Sequence, residues 1–400
     1  MYVSRLRLTD YRSYASLDLG LEPGTTLFSG PNGYGKTNIV EAVHFLATLD
    51  SHRVAGDTPL IRTGCAQATV AAVVRAGRND DRSLSVAVDI RASGANRAQL
   101  NKAPARVRDV VGAVRTVLFS PEDLAIVRGD PAERRGFLDE LVVTRWPRLA
   151  GTLAQYDRAL KQKTALLKAL SGRGSRAGGR TTREAAGPGE GWGTGGEAGA
   201  VGARDTLDTW SEALAAAGAE IVVARLRTLA ELAPLVTTNY AAIAPTPAGA
   251  GAAYRSTSLP DGTGPEEDTV RAALLQAMYE RRGEEIARGV CLVGPHRDDV
   301  ALSLGDMPVK GYASHGEGWS YALALRLASL DLLHADGIEP ILILDDVFAE
   351  LDDTRRTRVA AAMAGVDQTL VTAAVLRDVP PGLVAQVYEV EPGTVRAVAP

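Results

Sequence analysis

Along the first 45 residues, apolar positions recur with a period of two and then give way to a helical period. "VSRLRLTDY" and "SLDLGL" read as strands, Pro23 and Gly24 as a turn, and "TTLFSG" as a third strand that runs through a glycine-rich loop into an amphipathic helix. Two further alternations, "ATVAAVVRA" and "LSVAVDIRA", flank the polar "GRNDDR" between residues 68 and 92, the pattern of a β-hairpin. From Pro131 to Leu170 the period becomes helical, with Phe137, Leu138, Leu141 and Val142 on one face, and a second helical segment runs from Thr206 to Tyr240. Between them residues 171–204 hold too few large apolar side chains to bury and too much glycine to order, which predicts a flexible insert at the tip of a helical hairpin. Residues 244–268 read as loop and 269–288 as helix, leading to an apolar strand and the polar "GPHRDD". The last third returns to an α/β pattern. The expected organisation is a nucleotide-binding core split between residues 1–120 and 291–400, with a helical arm over residues 121–290.

Composition narrows this picture. Four hundred residues exceed the usual size of one hydrophobic core, and 46% hydrophobic residues suffice for two. Cys65 and Cys291 form no C-x-x-C pattern, which argues against a disulfide framework or a zinc site and fits a reducing compartment. The charged "MYVSRLRLTDYRSY" and the lack of an apolar run near ~20 residues point to a soluble cytoplasmic protein. A net charge of −4 excludes a protein that coats nucleic acid with its whole surface, so any DNA site must be local. Residues 102–176 carry 15 Lys/Arg against 8 Asp/Glu, which makes the arm and its base the candidate DNA surface.

The chemistry concentrates in three places. In "GPNGYGKTN", Gly30, Gly35, Lys36 and Thr37 satisfy G-x-x-x-x-G-K-[ST] in a strand-loop-helix context. The loop from Gly30 through Pro31, Asn32, Gly33, Tyr34 and Gly35 to Lys36, Thr37 and Asn38 would direct backbone N–H groups at the phosphates of ATP or another nucleoside triphosphate. Lys36 would reach the β- and γ-phosphates and Thr37 would ligate Mg²⁺. In "PILILDDVFAELD", four apolar residues run into Asp345, placed to hold Mg²⁺, and Asp346, placed to polarise the attacking water. "GYASHGEGWSYALALRLASLDLL" is a Ser/Gly turn opening a long helix, with Ser314 or a neighbour as cap.

In this order the three motifs resemble those of ABC-type ATPases. The resemblance implies that Ser314 and Gly316 of one subunit close on the ATP held by the phosphate loop of another, giving an ATP-dependent homodimer. "LRLTDYRSY" resembles the N-terminal strand of the structural-maintenance-of-chromosomes (SMC) class, and "PEDLAIVRGDPAERRGFLD", "VGPHRDD" and "ASHGEGWSYALALRLA" are similar to patterns of the bacterial RecF family. Together the motifs run from the start of the chain to Asp352. They imply an ABC-type P-loop ATPase head with an inserted α-helical arm. They also imply dimerisation on DNA at single-strand gaps and junctions, weak DNA-stimulated hydrolysis, and help in loading RecA with RecR and RecO during repair, replication restart and SOS induction.

The chain departs from that pattern in three places. Thr372 and Ala373 stand where many ABC proteins carry a switch histidine, "LFSPEDL" stands where a glutamine loop belongs, and Asp346 replaces a glutamate. Other residues keep several readings. Arg134 and Arg135 touch DNA phosphate, pair with Asp139, or join arm to head; Arg12 approaches phosphate or is an exposed strand-end arginine. His296, Arg297, Asp298 and Asp299 form a metal site, an acid-base group or a structural turn, and the resemblance places them in the head. The ATPase subunit of a transporter, or another SMC-like DNA-organising ATPase, would share the phosphate loop, but a long arm between the motifs disfavours the transporter.

Overall fold

The computed structural model describes residues 1–177, 197–244, 249–260, 262–380 and 382–398. The chain forms two compact units, one of Met1–Pro147, Leu229–Ala253 and Ala301–Pro400, the other of Arg148–Thr228 and Tyr254–Val300.

The first unit is built on two sheets. One contains, side by side, Thr394–Val398, Val384–Glu391, Gly24–Ser29, Gln368–Ala373, Ile341–Asp345 and Thr116–Phe119. Gly24–Ser29, Gln368–Ala373, Ile341–Asp345 and Thr116–Phe119 run parallel, and the last three are buried along their whole length. Burial on both faces is why Ile341–Leu344 reads as an unbroken apolar run and not as an alternation. Register then lines up residues remote in sequence: Asp345 lies opposite Thr372, Ala373 opposite Ser29, and Leu344 opposite Phe119. The carboxyl ends of these strands make one edge, the usual ligand edge of an open parallel sheet.

The second sheet is antiparallel, in the order Tyr14–Gly20, Tyr2–Tyr11, Gln67–Gly77, Asp80–Arg91, Arg97–Leu100 and Ala103–Ala105. Its alternation is clean because only one face is covered: Ala68, Val70, Ala72 and Val74 are buried while their neighbours are partly exposed. The helix Lys36–Thr48 supplies Ile39, Val40, Val43 and Leu46 to a core shared with Leu6, Leu8, Val70 and Val86 of this sheet and Ile343 and Leu370 of the parallel one.

The helix His315–Ala335 is buried almost all round, so its sequence is apolar on every face between Trp319 and Leu333 except at Ser320, Arg326, Ser329 and Asp331. Arg326 is tolerated there because its guanidinium binds Asp123 at 2.7 Å and Glu140 at 3.4 Å. These contacts draw Asp123 and the helix Pro131–Arg145 into the first unit, as do the bonds from Arg145 to Asp336 and Glu231. The head therefore extends beyond residue 120, to Pro147, and also takes in Leu229–Ala253.

The second unit is mostly helical. Its core joins Tyr156, Leu214, Ala219, Val222, Leu274, Met278 and Val293, and a buried Lys163–Glu285 pair at 2.9 Å lies among its helices. The helical run expected from Pro131 to Leu170 is two helices, because Trp146 leaves helical geometry ahead of Pro147 and the next helix is Leu149–Ala177. The ends of the insert expected over residues 171–204 continue this helix and its successor, Glu197–Ile243; residues 178–196 lie outside the described residues. The expected loop 244–268 contains a strand, Ala250–Arg255, and the helix expected over residues 269–288 is divided at Arg281 into Glu267–Glu280 and Arg282–Arg288. Residues 289–294, where an apolar strand was expected, form none; the strand Asp299–Leu304 begins at the last residue of "GPHRDD".

Candidate nucleotide site

Strand Gly24–Ser29 delivers the chain into a loop that only glycine can make at two points. At Gly30, φ is 153° and a Cβ would lie 2.5 Å from the Val390 carbonyl oxygen; at Gly35, φ is 102° and a Cβ would lie 2.8 Å from Ser13 Oγ. The helix Lys36–Thr48 starts immediately after, so its N-terminus lies at the end of the loop, with Asn38 N–H donating to the Gly35 carbonyl at 3.1 Å. Lys36 is buried, and its Nζ turns back over the loop to donate to Asn32 Oδ1 at 3.1 Å and to the Pro31 carbonyl at 3.4 Å. Asn38 donates to Ser13 Oγ at 3.0 Å and accepts from Arg53 Nη1 at 3.0 Å.

The neighbouring strands bring three hydroxyl and carboxylate groups together. Asp345 Oδ1 accepts from Thr37 Oγ1 at 2.9 Å and from Thr372 Oγ1 at 2.6 Å, and Thr372 Oγ1 in turn accepts from the backbone N–H of Asp346 at 2.9 Å. Thr372, which stands where a switch histidine was expected, thus orients the carboxylate and the backbone that follows it. The paired oxygens of Thr37 and Asp345 are hard donors of the kind Mg²⁺ prefers, and Mg²⁺ commonly takes few protein ligands beside substrate phosphates, so these residues fit that ion.

Asp346 adopts a left-handed conformation, φ 51° and ψ 23°, that redirects the chain at the strand end. Burial pushes its carboxyl above the usual range; the Lys36 ammonium opposes this and the Asp345 charge adds to it. Ser120, at the end of the next strand, is buried and closes a capping box with Asp123, so the "LFSPEDL" segment presents no amide side chain there.

Ser314 caps the helix His315–Ala335. Its Oγ accepts from Glu317 N at 3.3 Å, and Glu317 Oε2 accepts from Ser314 N at 2.8 Å. Ser314 itself is exposed, and the Gly316 carbonyl accepts from Arg355 Nη2 at 3.0 Å.

A family model of the RecF/RecN/SMC N-terminal domain matches residues 2–378. A curated "DNA replication and repair protein RecF" from Cutibacterium acnes is 50% identical over 409 residues, 99% of this chain and 98% of the relative. Its counterpart from Kineococcus radiotolerans is 50% identical over 96% of this chain and 95% of the relative. This chain belongs to the RecF family. Among solved structures, that of the recombination mediator protein RecF-ATPrS in the RecFOR pathway superposes with a TM-score of 0.83 at 24% identity, covering 100% of this chain and 98% of that one. An Smc head domain from Pyrococcus furiosus superposes with a TM-score of 0.52 at 17% identity, covering 99% and 96%. The fold is thus that of the RecF and SMC ATPase heads.

Other residues of this RecF-family chain take places that the sequence left open. Arg12 is not an exposed strand-end arginine: its side chain is 14% exposed, its Nε donates to Glu41 Oε2 at 2.8 Å and its Nη1 to the Pro59 carbonyl at 3.1 Å. Burial alone would raise the Glu41 pKa, but the Arg12 guanidinium and the Ser51 hydroxyl hold it below the usual range. Arg134 is buried and donates to the Gly129 carbonyl at 3.0 Å; Arg135 is half-buried on the same helix. "GPHRDD" lies in the second unit and not in the head. There Tyr156 OH and His296 Nδ1 are 2.7 Å apart, Tyr254 OH donates to Asp298 Oδ2 at 2.7 Å, and Arg297 Nη2 donates to the Cys291 carbonyl at 2.6 Å, the bonding of a structural turn. His52, which showed no ligand spacing in the sequence, is the residue that was missed: its Nε2 lies 3.8 Å from Asp345 Oδ2.

Proposed function

We propose that the chain is an ATP-controlled DNA clamp of recombinational repair and replication restart. The observation that carries this reading is the convergence of Thr37 and Thr372 on one oxygen of Asp345, beside Lys36 and Asp346. Lys36 binds the β- and γ-phosphates, the loop N–H groups orient them, and Thr37 with Asp345 would hold Mg²⁺. Bound there, Mg²⁺ would offset phosphate charge. Asp346 accepts a proton from the attacking water, and its raised pKa makes it the better base. ATP dimerises the chain on DNA at single-strand gaps and junctions, slow hydrolysis releases it, and the bound dimer serves RecR and RecO in loading RecA and in SOS induction.

The DNA surface is narrower than the charge count implied. Arg134, Arg145 and Lys163 are buried, whereas Arg158, Lys161 and Lys168 are exposed on one face of the helix Leu149–Ala177. A gel-shift with gapped duplex is expected to show binding with ATP and Mg²⁺ that falls steeply with salt and is weak without nucleotide. Binding indifferent to ATP would contradict the clamp.

If Ser314 meets a second subunit's nucleotide, Ser314→Arg abolishes the ATP-induced dimer and leaves nucleotide binding by the monomer within about twofold of wild type. The lost cap itself costs about 1 kcal/mol, which leaves a folded protein. Light scattering beside nucleotide titration checks this, and a variant that dimerises normally would reduce Ser314 to a helix cap.

A further inference from the structure

After the helix Lys36–Thr48 the chain turns back on itself. Leu49 takes a left-handed conformation and returns its N–H to the Phe45 carbonyl. Ser51 fixes the turn: its Oγ donates to Glu41 Oε1 at 2.6 Å and accepts from the N–H groups of Arg53 at 3.1 Å and Val54 at 3.3 Å. Arg53 ties the same turn to Asn38 of the phosphate loop. Within this turn, whose Leu49 and Val54 pack against the hydrophobic core, the His52 side chain is largely buried.

The His52 side chain is 10% exposed, and neither ring nitrogen has a hydrogen-bond partner among the described residues. The ring meets His44 edge-on at 5.7 Å, but His44 Nδ1 is already bonded to Thr116 Oγ1 at 2.9 Å. Across the remaining gap lies Asp345 Oδ2, 3.8 Å from Nε2. That separation is too long for a direct hydrogen bond and suits a shared water or a small closing movement. Meanwhile Asp345 spends its other oxygen on Thr37 and Thr372. A buried ring left without partners is costly for a packing residue, so its place opposite a site carboxylate calls for another explanation.

The geometry points to His52 as a positioning residue of the nucleotide site, whose Nε2–H holds Asp345 Oδ2 and so keeps Oδ1 turned toward Thr37 and the cation. This inference rests on the nucleotide reading given above. Outer partners of this kind orient a ligand carboxylate, and losing one typically weakens metal affinity by about 10- to 100-fold.

The test is a Mg²⁺ titration of ATP binding with a fluorescent ATP analogue, run on wild type, His52→Leu and His52→Gln beside thermal melts. His52→Leu keeps the volume and removes the donor; His52→Gln restores an N–H at comparable reach. The expected result for His52→Leu is a half-saturating Mg²⁺ concentration raised about 10-fold or more. Its Mg²⁺-free affinity should stay within about twofold and its melting temperature should not fall, since an unpartnered polar group has been replaced by an apolar one. His52→Gln is expected to recover most of the Mg²⁺ response. An unchanged Mg²⁺ midpoint in His52→Leu would overturn the inference. So would equal losses in both variants accompanied by lower melting temperatures, the mark of a packing role. If wild type itself binds no ATP, the nucleotide reading fails, and His52 falls with it.

Discussion

Lys36→Ala is expected to weaken ATP binding on the order of 100-fold or more. The Lys36 ammonium is buried and is held over the loop by Asn32 and the Pro31 carbonyl, so two charge-assisted bonds to phosphate are lost together. At about 1.5–3 kcal/mol each, those bonds account for a change of that size. Truncation to alanine also removes the apolar stem that fills the base of the loop, so Lys36→Met isolates the charge and should weaken binding nearly as much. Lys36→Arg keeps the charge, but a planar fork does not fit a space shaped for a compact ammonium. Equilibrium binding of a fluorescent ATP analogue measures all three. Wild-type affinity in Lys36→Ala would remove the phosphate loop from the account.

Asp346→Asn should separate binding from hydrolysis. Lys36, Thr37 and Asp345 are untouched, and asparagine adopts the left-handed conformation of position 346 as readily as aspartate does, so the strand end keeps its path. An amide cannot take the proton of the attacking water, and loss of a general base commonly lowers turnover by about 10²–10⁴-fold. The ATP-bound dimer should therefore persist. Wild-type turnover is itself expected to be slow, because aspartate is one methylene shorter than the glutamate of many related ATPases and small misplacements of a catalytic group are expensive. Single-turnover hydrolysis on gapped DNA tests both statements. Hydrolysis of many ATP per second by wild type, or normal hydrolysis by Asp346→Asn, would contradict them.

The same substitution has a stability signature. The folded-state pKa of Asp346 is raised by burial, so the unfolded chain gives up this proton at lower pH than the folded one. Stability from this group is present below the unfolded value and is lost as pH rises through the folded value. Asp346→Asn without nucleotide should therefore melt higher than wild type at pH above the folded-state value and lose that advantage as pH falls below the unfolded one.

The phosphate loop was legible because its requirements are local: glycines at positions that admit no Cβ, then a lysine and a threonine at the first turn of a helix. The strand Ile341–Asp345 was legible for a related reason, since burial on both faces leaves an unbroken apolar run ending at two carboxylates. Domain boundaries were not. The helix Pro131–Arg145 belongs with the head through Arg326 and Glu140, 186 positions apart, and through Arg145 and Asp336, 191 apart. No local period carries such information. The strand Ala250–Arg255 was hidden by its composition, "AGAAYR", whose small residues resemble loop. His52 was missed, and Thr372 was noted only for its place in the motif order, because they become neighbours of Asp345 only when strands and a returning turn are assembled.

The central claim is that nucleotide held by Lys36, Thr37 and Asp345 joins two copies of this chain. Light scattering of the purified protein with ATP and Mg²⁺, with ADP and Mg²⁺, and without nucleotide tests it most directly. The account predicts the mass of one 42.0 kDa chain without nucleotide and with ADP, and the mass of two with ATP. A mass that is the same in all three conditions would contradict it.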